Sequence, residues 1–162
     1  MSQSKDIPSA ESIPLPARAL GFAGLIPFLV WGGSLAGLRI VDDEFAWRSF
    51  QAYAATILSF LGAVHWGAAM TQYDGSRLWR PLALSVVPCL LGWAVLSLQP
   101  PPAGSLALLM LGFGGQFMSD RLAVDRGLFP PWYLSLRRVL TLVVLAVLGL
   151  TFVLSPITAI GR

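Results

Sequence analysis

The chain alternates between long apolar runs and short polar breaks. Apolar segments recur at residues 18–39, 45–70, 81–98, 105–124 and 134–154. About 20 apolar residues are what a helix needs to cross a hydrocarbon core roughly 30 Å thick. Backbone in lipid must satisfy its own hydrogen bonds, so such segments read as helices. The two-residue alternation of a membrane β-barrel is absent. The pattern predicts an all-α, polytopic membrane protein, a bundle of five transmembrane helices.

The breaks sharpen this picture. Residues 1–16 are polar, carry three prolines and read as a disordered cytoplasmic tail, leaving residues 17–162 as a single transmembrane domain. The apolar run that follows is too long for a secretory signal, and the tail sets Lys5 against Asp6 and Glu11, unlike an Arg-rich transit peptide. Asp42, Asp43 and Glu44 stand where acids complement the N-terminal dipole of the second helix. Asp74 and Gly75 read as a turn, as do the QPPPAG and DRGLFPPWY segments at residues 99–104 and 125–133. Trp132 and Tyr133 suit a membrane–water interface. On the second helix Ala52, Ala55, Ser59, Gly62 and Trp66 share a face of mostly small side chains, the kind that lets membrane helices approach closely.

Composition agrees. Hydrophobic residues make up 56% of the chain and charged ones 12%, about half the charged share of a soluble domain. The net charge of +3 comes from basic residues scattered between apolar runs, so it reads as topology and not as a nucleic-acid footprint. Lys5, Arg18, Arg77, Arg80, Arg121, Arg126, Arg137 and Arg138 fall on the side of the amino terminus, and Arg39, Arg48 and Arg162 on the other. That bias predicts the amino terminus inside and the carboxyl terminus outside, most simply in a bacterial inner membrane. The single cysteine, Cys89, excludes an intrachain disulfide and, in its apolar segment, reads as a buried inert thiol.

Ionisable groups inside spans are the natural candidates for function. His65, the only histidine, lies in the second helix, about 8 Å from its cytoplasmic end at the helical rise. Asp120 lies near the cytoplasmic end of the fourth helix, followed by Arg121, and Arg137 and Arg138 open the fifth. Topology puts His65, Asp120, Arg137 and Arg138 in one leaflet. A His–carboxylate contact there fixes an imidazole tautomer, and an adjacent arginine can take a carboxylate or anionic head group. The plainer readings are an interhelical hydrogen bond for His65, a local ion pair for Asp120 with Arg121, and snorkelling anchors for the two arginines. Tyr53 and Gln116 read as helix–helix hydrogen bonds. No Walker loop, H-E-x-x-H pair or nucleophile motif occurs, so no cofactor, metal or catalytic residue is assigned.

Several blocks carry a family resemblance. They are LGFAGLIPF at residues 20–28, SFLGAVHWG at 59–67, SVVPCLLGW at 85–93, Asp120, and PPWYLSLRRVLT at 130–141. In that order and spacing the chain resembles bacterial domain-of-unknown-function family 3429, whose animal relatives are the transmembrane protein 69 group, associated with mitochondria. The resemblance implies a compact membrane-embedded bundle, points to His65, Trp66, Asp120 and Arg137, and brings no activity.

The first functional expectation is a non-enzymatic accessory subunit or assembly factor of a respiratory or other energy-transducing membrane complex, with the lipid bilayer and other membrane subunits as partners. The alternative is a small transporter or lipid/quinone-binding protein using the His/Asp/Arg cluster. A lipid-acting membrane enzyme is the third.

Overall fold

In the computed structural model, which describes residues 12–73 and 75–155, the first apolar run is not one helix. It is α1 (Leu15–Ala23) and α2 (Ile26–Gly33), with the break at Gly24–Leu25. Pro27 sits in the first turn of α2, where its missing N–H removes nothing from the helical ladder. The Tyr53 hydroxyl reaches into the break and donates to the Gly24 carbonyl at 2.9 Å. After α2 a wide helical turn, Ser34–Leu38, ends at left-handed Arg39. Ser34 is buried, and its hydroxyl both donates to the Val41 carbonyl and accepts from the Val41 N–H, which folds the connection back on itself.

α3 (Asp43–Gln72) is 30 residues long, about 45 Å at the helical rise. Asp42 caps it, accepting from the N–H groups of Glu44 and Phe45 at 3.0 Å each, and Glu44 pairs with Arg48 one turn on. A single tight turn, Gly75–Leu78, leads into α4 (Trp79–Leu98). α5 (Pro102–Asp125) and α6 (Pro131–Leu154) follow. Pro16, Pro102 and Pro131 all lie in first turns, and these three helices each begin three residues before the position expected from apolarity. Residues 1–11, most of the expected tail, lie outside the described residues, as do residues 156–162.

The long helices close into a ring: α2 packs on α3, α3 on α4, α4 on α5, α5 on α6, and α6 back on α2, while α3 also touches α5 across the middle. Phe28 stands at the centre, with its ring edge-on to Phe50, Tyr53 and Phe113 at centroid distances of 5.2–5.9 Å. Glycines allow the closest approaches. A Cβ at Gly62 would lie 2.3 Å from the Ser85 carbonyl oxygen of α4, and one at Gly92 would lie 3.0 Å from Ala55. Large apolar side chains such as Leu20, Leu111, Leu142 and Val153 point outward, as a bilayer-embedded surface requires.

Among the described residues, four helical stretches are long and apolar enough to cross a membrane: Leu15–Leu38, Asp43–Gln72, Gly75–Leu98 and Pro131–Leu154. α5 is the fifth stretch of the bundle, but Gln116, Ser119, Asp120 and three mid-helix glycines lower its hydropathy, and Gln116 and Asp120 are buried against neighbours. Cys89 corrects an expectation. It is exposed on the outside of α4. A membrane helix is apolar on its lipid face as well as its packed face, so apolar neighbours do not imply burial.

Candidate functional site

α3 and α5 run parallel, and two polar contacts join them one turn apart. Gln116 Nε2 approaches the Leu61 carbonyl at 3.5 Å, and His65 Nε2 lies 2.8 Å from Asp120 Oδ1. α6 runs antiparallel beside α5 and brings Arg137, whose Nε donates to Asp120 Oδ2 at 2.6 Å. Each carboxylate oxygen thus has its own strong donor. Tyr133, one turn before Arg137, makes a longer 3.5 Å contact to Oδ1.

Burial gives these contacts their weight. The Asp120 side chain is 0% exposed and that of Arg137 7%. A buried carboxylate is strongly disfavoured alone and tolerable when paired and hydrogen-bonded. A carboxylate only accepts, so the His65 nitrogen facing it carries the proton, leaving Nδ1 for other partners. Arg137 Nη2 is buried with no hydrogen-bond partner, and so is Thr141 Oγ1 one turn further along α6.

His65 links this buried pair to an open space. Its side chain is 18% exposed and lines a cavity of about 330 Å³ between the end of α3, the start of α4 and the end of α5. The Phe129 ring stands edge-on to the imidazole at 5.1 Å and forms part of the same wall. Arg77, Arg80 and Arg126 line the cavity as well, together with Tyr73, Gln116 and Ser119. A space of this size is at the small end of ligand sites.

Of the residues singled out in the sequence, His65, Asp120 and Arg137 meet directly and Gln116 sits one turn away. Arg138 does not join them. It follows Arg137 round the helix and is exposed. Arg121 is also exposed and faces Asp125 at 4.0 Å. Trp66, next to His65 in the chain, lines a different, almost wholly apolar groove of about 480 Å³ with Trp79, Leu82 and Val86. Tyr53 serves the break between α1 and α2. Sequence reasoning used Arg77, Arg80 and Arg126 only as topology signals and missed their shared cavity. The available signal was that all three flank helix ends on the side of His65. Among the described residues no group of three or more His, Cys, Asp or Glu could hold a metal.

The family model described as "Protein of unknown function (DUF3429)" matches residues 13–153, which covers α1 through nearly all of α6. The chain belongs to the DUF3429 family. It is also similar to two vertebrate proteins called Transmembrane protein 69. The Xenopus tropicalis protein is 34% identical over 139 residues, covering 85% of this chain and 54% of that protein. The Mus musculus protein is 28% identical over 145 residues, covering 89% and 58%. The chain therefore spans a little over half the length of these relatives. No solved structure matches it. Family membership and the four apolar helices make this DUF3429 protein a multi-pass membrane protein, and the bilayer its surroundings.

Proposed function

We propose that this DUF3429 protein binds an amphiphilic small molecule at the membrane interface without transforming it. The observation that carries the reading is the cavity beside His65, half polar and half apolar in its lining, whose histidine is tied to the buried Asp120–Arg137 pair. Occupancy at His65 would thereby be felt at the junction of α3, α5 and α6. In this proposal α5 crosses the membrane as the fifth helix of the ring, supported by its 24-residue length and its neighbours on both sides.

We infer that the amino terminus faces the cytosol. Its support is charge asymmetry. Exposed Arg77, Arg80, Arg121, Arg126 and Arg138 cluster where α3 and α5 end, whereas Arg39 and Arg48 share the opposite end with Asp42, Asp43 and Glu44.

The test is native mass spectrometry of the full chain released from mild detergent. Retained lipid or quinone is expected on the wild type and lost from Ser119→Trp, which fills the cavity from its exposed rim. Equal retention by both proteins would end the cavity reading.

A second reading, an accessory subunit or assembly factor of a membrane complex, is favoured by the complete burial of Asp120, which suits a structural clasp. A stoichiometric membrane partner that co-purifies equally well with wild type and His65→Ala would favour it.

A further inference from the structure

We propose that the cavity beside His65 is selective for a phosphate-bearing group of net negative charge, one without a compensating cation, with Arg77, Arg80 and Arg126 as its ligands. The inference rests on the amphiphile-binding reading above and names the chemistry of the polar end.

Three arginines converge from three places in the chain: the turn before α4, the first turn of α4 and the residue after α5. Among the described residues, Glu44 pairs with Arg48, Asp125 with Arg121 and Asp120 with Arg137. Arg77, Arg80 and Arg126 have no carboxylate partner among those residues. Guanidinium groups match phosphate oxygens two at a time, which makes arginine the usual residue for such groups. Asp120, behind His65 and outside the lining, does not oppose an anion, because it is buried and neutralised by Arg137. Tyr73 and Ser119 add neutral hydroxyls to the lining.

The remaining wall is apolar, with Pro81, Leu84, Leu122 and Phe129. α3 is about 45 Å long, longer than a hydrocarbon core of roughly 30 Å, and the exposed Arg77, Arg80 and Arg126 beside its last turns fit head-group level there. Polar lining at that depth beside apolar lining fits a phospholipid whose head enters and whose chains stay outside. Free phosphate or a soluble phosphate ester shares the recognised group, and the experiment separates these sources.

The full chain in nanodiscs of phosphatidylcholine is titrated with phosphatidylglycerol, and in parallel with inorganic phosphate, following intrinsic tryptophan emission and thermal unfolding. Lipids retained after detergent extraction are identified by native mass spectrometry. Phosphatidylglycerol is expected to be retained over phosphatidylcholine. The double variant Arg80→Gln/Arg126→Gln is expected to weaken it about tenfold or more, the loss that goes with one or two charge-assisted hydrogen bonds. Arg138→Gln, exposed at the same end but outside the cavity, should change it less than about twofold.

Saturation by inorganic phosphate with no lipid preference keeps the phosphate site and assigns it to a soluble anion. Equal loss from Arg138→Gln and the double variant would mean general surface charge and overturn the proposal. So would equal retention of both lipids, unaffected by the arginine changes but abolished by Ser119→Trp, which would leave the cavity reading standing. Retention indifferent to Ser119→Trp as well would remove both.

Discussion

Arg137 donates through Nε to Oδ2 of Asp120 at 2.6 Å, and neither side chain is open to solvent. Removing one member of such a pair leaves the other buried and uncompensated, whereas removing both leaves no buried charge and costs the packing change and the His65 contact to Asp120. Arg137→Met alone is expected to destabilise the folded protein by about 3–5 kcal/mol, and the Asp120→Leu/Arg137→Met double variant by clearly less. Reversible unfolding in detergent measures both, together with Asp120→Leu alone, which closes the cycle. Additive losses in the double variant would mean that the pair does not couple α5 to α6.

Gly62 and Gly67 lie on the same helix and respond oppositely to an added methyl group. At Gly62 the Cβ would meet backbone oxygen at 2.3 Å, while at Gly67 nothing lies within 4 Å. Gly62→Ala should therefore force α3 and α4 apart at about 1–3 kcal/mol. Gly67→Ala should be neutral or stabilising by up to about 1 kcal/mol, since alanine is the better helix former. Thermal melting of the two variants side by side decides it, and equal effects would contradict the close approach at Gly62.

Tyr53 supports the break between α1 and α2 from the side. Tyr53→Phe keeps the ring beside Phe28 and removes only the donor to Gly24. A loss of about 0.5–1.5 kcal/mol is expected. Faster amide exchange should be confined to the residues around the break. Uniform acceleration across the bundle would argue that Tyr53 acts through packing instead.

Cys89 offers a probe of what surrounds α4. It is the single cysteine of the chain and faces outward from a helix long and apolar enough to cross a membrane. In intact membranes it should react with a lipid-soluble maleimide and resist a membrane-impermeant one until detergent is added. Prompt labelling by the impermeant reagent would place this face of α4 in water.

What the sequence alone specifies differs from residue to residue. The helices were legible because apolar length is a strong constraint in lipid. Asp120, His65 and Arg137 stood out because ionisable groups inside apolar runs are conspicuous, and helix count alone brings them to one end of the bundle. Which of Arg137 and Arg138 turns inward was not legible. The flanking residues of α6 are apolar on all sides, and about 100° of rotation separates the two. Cys89 failed for the same reason. The break at Gly24–Leu25 was hidden because Pro27 reads equally as a kink or a first turn. The cavity escaped because it is built from ends of three helices, each uninformative alone.

The two matched contacts between α3 and α5 act as an index mark. A slip of one helical turn, about 5.4 Å, would set Gln116 against His65 and strand Asp120 beside Ala69, still carrying Arg137 with it. Smaller slides stretch both contacts. The pair of helices is therefore held at one axial setting, and any movement transmitted through them must proceed by rotation or tilt.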